Sequence, residues 1–380
     1  MSSRIVRSWN PATLLAVTTG VLLTLGLVMI LSASSVSSFA TYGSSFLFFK
    51  KQLLWAALGL VGYITFSRWD YRRLRGIGYV LMGVTIVLLI AVLIPGVGVM
   101  VGGSSRWLRI GALSFQPSEL AKLSLLMFAA DVFARRDDRT FGDLPRTLLP
   151  MIPALGVLTL LVMMQPDLGT TLLLACIGMT MLFIAGAPMR HLVPMGGLAV
   201  ATAAVAAYAA PYRRERLLAF IDPWSDPLDT GYQTIQSLIA LGSGGWFGVG
   251  LGASRQKWSY VPNAHTDFIY AILGEETGLL GTLMVWGMFA LIAFIGVTAA
   301  RRAPDRYGML LASGITVWIS VQAIVNVGAV TASLPITGVP LPLVSFGGSS
   351  LVISLIAMGI LTNIAASSHK RRNKAPTTAS

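Results

Sequence analysis

A histidine and a carboxylate, His265 and Asp267, stand together in the run Tyr260-Val261-Pro262-Asn263-Ala264-His265-Thr266-Asp267, directly before an apolar segment opening Phe268-Ile269-Tyr270. An ionisable group at the edge of an apolar span is costly to keep there, which makes it a functional candidate. Such an aspartate can take a proton from a hydroxyl as a general base, or merely accept N–H bonds at a helix start. In Gln116-Pro117-Ser118-Glu119-Leu120-Ala121-Lys122, proline suits a first helical turn and glutamate suits the positive end of the helix dipole. Glu119 and Lys122 are three apart and share a helical face, either as an ion pair that lets a weakly apolar helix enter a membrane or as part of a site. Asp167, in Gln165-Pro166-Asp167-Leu168-Gly169-Thr170, is open to the same two readings, cap or site. Glu275 and Glu276 lie two turns beyond Asp267; an unpaired carboxylate there is expensive, so a partner such as Lys122 or an arginine is expected. Gln322 and Asn326 read as inter-helix hydrogen-bonding residues.

The elements that must position these groups are membrane helices. The chain of 380 residues is 55% hydrophobic and 11% charged, against about 25% charged in an ordinary soluble domain. Mean hydropathy is +0.74. The net charge of +13 is spread in short basic clusters between apolar runs, a topology signal rather than a nucleic-acid face. One cysteine, Cys176, excludes an intrachain disulfide, and three scattered histidines exclude a zinc site. The apolar run after Arg4 and Arg7 reads as a retained first span, since it exceeds the roughly 7–15 residues of a signal-peptide core.

Ten spans are expected, near 12–32, 47–66, 77–95, 117–134, 147–164, 168–187, 192–210, 268–300, 307–330 and 346–366, the fourth weakly apolar and the eighth overlong. An even number puts both termini on one side. That side carries Arg4, Arg7, Arg68, Arg72, Arg73, Arg75, Arg135, Arg136, Arg139, Arg146, Arg190, Arg301, Arg302, Arg306, Lys370, Arg371, Arg372 and Lys374, which is 18 of the 28 basic residues. By the positive-inside rule it is cytoplasmic, and the loop ending at Asp267 is extracytoplasmic. The expected fold class is therefore all-α and polytopic. A cytoplasmic tail covers 1–11, one membrane domain covers 12–366 with an outer loop at 211–267, and a basic cytoplasmic tail covers 367–380.

Three outer segments, 96–116, 211–264 and 331–350, are rich in proline and glycine and cannot be continuous helix. Irregular backbone survives at membrane depth only where protein or a wet cavity covers it, so a cavity opening outward between them is expected. They supply Arg106 and Arg109, then Gln233 and Gln236, then Ser345 and Ser349. Arg213, Arg214, Arg216, Arg255 and Lys257 complete the outer cations, which suit either anionic lipid head groups or a pyrophosphate-bearing lipid. No internal repeat of the kind found in inverted-repeat transporters is evident.

Several motifs, in order, resemble the SEDS family (shape, elongation, division and sporulation) of polytopic peptidoglycan glycosyltransferases. They are Phe115-Gln116-Pro117-Ser118-Glu119-Leu120 with Lys122, Gln165-Pro166-Asp167-Leu168-Gly169, and Gly244-Gly245 with Gly248-Val249-Gly250. The most specific are His265-Thr266-Asp267-Phe268 and the run from Pro335-Ile336-Thr337-Gly338-Val339-Pro340-Leu341-Pro342 to Ser345-Phe346-Gly347-Gly348-Ser349-Ser350. Tyr42-Gly43-Ser44-Ser45-Phe46, Lys50-Lys51-Gln52-Leu53 and Gly252-Ala253-Ser254-Arg255-Gln256-Lys257 look more like the division (FtsW) branch than the elongation (RodA) branch.

The resemblance implies polymerisation of lipid II into glycan strands at the inner membrane of a dividing cell. It makes Asp267 the essential carboxylate, with Glu119 and Lys122 as polar support nearby. Arg106, Arg109, Gln116, Asp167, His265, Thr266, Gln233, Gln236, Ser345 and Ser349 are further candidates for support or pyrophosphate binding. It also implies a divalent cation, Mg²⁺ or Mn²⁺, that Asp267 could hold, and no organic cofactor. The implied partners are the nascent glycan, a class B penicillin-binding transpeptidase and other membrane proteins of the division complex.

The chemistry agrees with that expectation. Outside the cytoplasm there are no nucleotide sugars, so a glycosyl donor must arrive on a lipid. A pyrophosphate leaving group is already acidic and needs no general acid, unlike the paired carboxylates of a glycosidase. One base within about 2.6–3.2 Å of the acceptor hydroxyl is enough, and the transfer is then inverting, from an α-linked donor to a β-linked product. Asp267 fits that single role. The competing readings are a flippase for the lipid-linked precursor and a structural platform in which Asp267 only caps a helix.

Overall fold

The structure, a computed structural model, describes residues 10–101, 104–111, 113–136, 150–209, 211–258, 261–262 and 264–374. Arg4, Arg7, Arg139, Arg146, Tyr260 and Asn263 lie outside the described residues. Helices α1 (Pro11–Tyr42), α2 (Leu47–Arg68) and α3 (Ile77–Leu93) lead into a small sheet, β1 (Gly98–Val101), β2 (Ser104–Ile110) and β3 (Leu113–Phe115). Then follow α4 (Pro117–Ala134), α5 (Met151–Met163), α6 (Leu168–Ala185) and α7 (Met189–Ala209). The long polar loop holds α8 (Pro211–Ile221) and α9 (Tyr232–Gly244). The chain closes with α10 (Ile269–Arg301), α11 (Arg306–Val330) and α12 (Gly348–Lys374).

Seven of these, α1, α2, α6, α7, α10, α11 and α12, are long and apolar enough to cross a membrane. Helices α3 and α5 are apolar but shorter, with 17 and 13 residues. Helix α4 lies where the fourth span was expected but carries Glu119, Lys122 and Asp131, all buried. The segment 96–116 departs from the expected loop: it pairs as an antiparallel sheet in the order β1-β2-β3. Its glycines and the apolar neighbours Val99-Met100 and Trp107-Leu108 break the alternation that would announce strands, yet Val99 pairs with Trp107 and Gly98 with Leu108.

The bundle is built around α11, α12 and α4. Helix α12 packs along α2, α10 along α11, and α3 along α4. Trp318, Tyr307, Phe133 and the side chain of Lys122 are among the largest fully buried groups. Helix α7 packs on α6 and α8 and exposes most of its apolar surface.

The overlong eighth span is two helices joined at Gly278, whose φ of 69° and ψ of −166° belong to a region only glycine adopts readily. The break leaves N–H groups without helical partners, and the glycine run after α9 meets them. Leu279 donates to the Gly245 carbonyl at 2.9 Å and Leu280 to that of Trp246 at 3.2 Å, while Val249 and Gly250 donate to Glu275 and Glu276 at 2.9 and 3.1 Å. A Cβ on Gly278 would stand 2.4 Å from the Gly248 nitrogen. Gly278→Ala is expected to cost about 1–3 kcal/mol, read as a lower thermal midpoint and earlier proteolysis in the loop 245–257.

The same clasp corrects the expected partner of Glu275 and Glu276. Neither meets Lys122. Glu275 accepts from the Ser254 hydroxyl and from the Arg255 and Gln256 backbone at 2.9 and 3.3 Å. Glu276 accepts from Ser32 at 2.5 Å and lies 3.9 Å from the Lys257 ammonium. The break at Gly278 lets the loop fold over both carboxylates, so Ser254, Arg255, Gln256 and Lys257 meet them from about twenty residues earlier in the chain, and Ser32 of α1 meets Glu276 from across the bundle.

Three helices measure the depth of this layer. At about 1.5 Å per residue, Ser32 lies about 32 Å along α1 from Pro11, Leu280 about 32 Å along α10 from Arg301, and Asn326 about 30 Å along α11 from Arg306. A bilayer's hydrocarbon core is about 30 Å thick. The layer containing Ser32, Glu276 and Asn326 is therefore one membrane thickness from the arginine-rich end.

Candidate active site

Asp267 stands at that layer. The cap position of α10 is Phe268, whose side chain makes no capping bond, and among the described residues the Asp267 carboxylate is hydrogen-bonded to Thr266 rather than to a backbone N–H at the start of α10. The Asn326 amide instead fixes the aspartate's backbone, donating to the Asp267 carbonyl at 2.8 Å and to the Val339 carbonyl at 2.8 Å. Gly338 lies so close that a Cβ there would stand 3.5 Å from the Asp267 carboxylate. The side chain itself is half-buried.

Burial pushes the Asp267 carboxyl up to about 6. Arg216 pulls it down, Asp167 adds to the rise, and Arg106 and a hydrogen bond with Thr266 oppose it. The result is a carboxylate that is mostly ionised at neutral pH yet more basic than an exposed one. Two arginines near it suit an anionic substrate.

Arg106 reaches from β2 to the α5–α6 turn, donating to the Gln165 carbonyl at 3.0 Å and to that of Pro166, with Asp167 at 4.0 Å. Asp167 caps α6, its Oδ1 accepting from the Thr170 backbone at 3.0 Å and its Oδ2 from the Thr170 hydroxyl at 2.9 Å, while Gln116 donates to that same Oδ2 at 3.5 Å. The cap and site readings of Asp167 are thus compatible. The Gln116 backbone donates to Ser349 at 3.2 Å, and Ser345 accepts from Leu341 at 2.8 Å inside its own turn. Gln233 donates to the Pro262 carbonyl at 3.3 Å, with half-buried Gln236 one turn further along α9. The three proline- and glycine-rich segments therefore converge on Asp267. Arg109 is exposed on β2, opposite Ser114, and makes no contact with this group among the described residues.

Glu119 and Lys122 lie deeper. The Lys122 ammonium is 2.7 Å from Glu119, donates to Gln322 at 3.0 Å and sits 5.2 Å above the Trp318 ring. Among the described residues the pair connects towards Asp267 through Gln322, whose amide donates to the Pro340 carbonyl.

His265 is held by rings. Its centroid lies 4.7 Å from Phe48 and 5.6 Å from Phe346, whose backbone donates to the His265 carbonyl at 2.9 Å. Burial lowers the imidazole to about 4, so it is neutral at pH 7. Replacement by a ring without nitrogen, His265→Phe, is expected to keep activity within about threefold, whereas His265→Ala opens the stack and loses about tenfold, given what small misplacements cost. Glycan polymerisation rates check both.

Among the described residues no three histidine, cysteine, aspartate or glutamate side chains gather in ligating geometry. Arg216 and Asn326 are the residues the motifs did not single out for the site. Arg216 was one of several outer cations, and Asn326 is a polar residue within a span, signals too common to choose between.

Residues 12–370 match the profile of the cell cycle protein family that groups FtsW, RodA and SpoVE. The chain belongs to this family. It is 41% identical over 358 residues to stage V sporulation protein E of Bacillus subtilis, covering 93% of this chain and 97% of that one. It is 42% identical to the probable peptidoglycan glycosyltransferase FtsW of Mycobacterium bovis, covering 90% of this chain and 66% of that one. Among solved structures it superimposes, with a TM-score of 0.74 and 32% identity over 95% of this chain and 98% of the other, on a chain described under "Structural coordination of polymerization and crosslinking by a peptidoglycan synthase complex". The motifs that carry the SEDS resemblance include those that converge on Asp267.

Proposed function

We propose that this SEDS protein is a peptidoglycan glycosyltransferase that polymerises lipid II on the outer face of the cytoplasmic membrane, with Asp267 as general base. One observation carries the reading. A carboxylate hydrogen-bonded to Thr266, raised to about 6 by burial and flanked by Arg106 and Arg216, lies one membrane thickness from the arginine-rich end. Ten crossings with both termini cytoplasmic put that carboxylate outside, where the donor must be lipid-linked.

In the transfer, Asp267 takes the proton of the acceptor hydroxyl as its oxygen attacks the anomeric carbon. The bond to the pyrophosphate breaks on the opposite face, and the lipid pyrophosphate leaves with the electron pair, without a general acid. Arg106 and Arg216 offset its negative charge. If a divalent cation, Mg²⁺ or Mn²⁺, takes part, Asp267 would be the carboxylate to hold it, since such ions commonly take one or two protein carboxylates beside substrate phosphates. The cation would neutralise pyrophosphate charge.

The relatives named FtsW favour the division role, and the neighbour in a peptidoglycan synthase complex favours a transpeptidase partner. The test uses detergent, which abolishes compartments. The purified protein with its class B transpeptidase is expected to turn lipid II into long glycan. Absence of polymer would favour a flippase or a platform. A tagged copy is expected at the septum; uniform side-wall signal would favour the elongation role.

A further inference from the structure

Helix α11 presents Trp318, Gln322 and Asn326 at four-residue intervals, so they share one face. The Gln322 carbonyl oxygen accepts from the Lys122 ammonium at 3.0 Å and from the Trp318 indole at 2.8 Å, and its amide donates to the Pro340 carbonyl at 2.9 Å. One turn on, Asn326 spends both amide protons on the carbonyls of Asp267 and Val339. Both amides are buried, at 0% and 1% exposure. A polar ladder thus runs from the Glu119–Lys122 pair, through α11, to the loop 338–340 and the backbone of Asp267.

Those two backbone segments have no other shared element of regular structure. One enters α10 and the other is an irregular turn holding Gly338 at a φ of 72°. Their carbonyls accept from the same amide nitrogen, which ties Asp267 to Val339 beside Gly338, while the Phe346 N–H bond to the His265 carbonyl joins the two segments further along. Among the described residues the Asn326 amide bonds go to backbone carbonyls and not to the Asp267 carboxylate.

We propose that Asn326 is the positioning residue of Asp267, holding the aspartate's backbone against the loop 338–340 so that the carboxylate keeps its place and its partial desiccation. The inference rests on Asp267 being the base. Gln322 steadies the same loop one turn below, and Glu119 and Lys122 act on the site through Gln322 rather than by contact with substrate.

The test compares Asn326→Leu, close in volume but without a donor, and Asn326→Ser, which keeps one donor, in the full-length protein with its transpeptidase and lipid II. Asn326→Leu is expected to lose about tenfold to a hundredfold in kcat with KM for lipid II changed less than threefold, since misplacement by about 1 Å can cost a hundredfold. Asn326→Ser should recover part of that loss. A fall in activity that only tracks the amount of folded protein, with kcat per folded molecule unchanged and no recovery in Asn326→Ser, would overturn the proposal. So would unchanged kcat in Asn326→Leu while Asp267→Asn is inactive. If Asp267→Asn is itself fully active, the base assignment fails instead.

Discussion

Asp267→Asn is expected to lower glycan polymerisation by about a hundredfold to ten-thousandfold, the usual worth of a positioned base, with little change in lipid II binding. The wild-type rate should rise with pH through about 6, where the Asp267 carboxyl ionises, and then level off. Asparagine matches aspartate in shape and does not disturb the Asn326 contacts, which go to the backbone. The same substitution has a stability signature of opposite sign. The folded-state carboxyl lies above the ordinary value of about 4, so ionising it costs folding energy. That cost is absent below about pH 4, grows between about 4 and 6, and is fully present above. Asp267→Asn should therefore raise the thermal midpoint at pH 7.5 and leave it unchanged at the lowest pH the protein tolerates. A variant both inactive and less stable at pH 7.5 would point to a structural aspartate instead.

Most of this arrangement was legible in the sequence because membranes impose long, simple signals. Apolar runs of about twenty residues marked helices even where the structure moves their ends, as when α1 extends from the expected 32 to Tyr42. Asp267 was conspicuous because charge is rare in such a chain. The partners of buried charge were not legible. Glu276 meets Lys257 because the helix breaks at Gly278 and a loop folds into the break, and nothing local announces which loop. The sheet at 98–115 was hidden by its glycines. Asn326 was visible as a polar residue in a span, but its two carbonyl partners come from segments 59 and 13 residues away.

The Glu119–Lys122 pair should show the largest effect on stability. Both side chains are buried, with 3% and 1% of their surface exposed, at a separation of 2.7 Å. Lys122→Met leaves the Glu119 carboxylate uncompensated inside the bundle, and removing one partner of a buried pair costs about 3–5 kcal/mol. Glu119→Gln should cost less, because Gln322 and the face of Trp318 still serve the ammonium. Replacing both, Glu119→Gln with Lys122→Met, removes two buried charges together and should return the thermal midpoint close to wild type. Activity then separates the two roles of the pair. In the double variant Gln322 keeps its bond from Trp318 and its bond to Pro340, so the loop beside Asp267 stays in place and polymerisation should fall by about tenfold or less. If the pair instead contacts the lipid pyrophosphate, the stable double variant will be as inactive as Asp267→Asn, and the ladder through α11 will not be the route by which the pair acts.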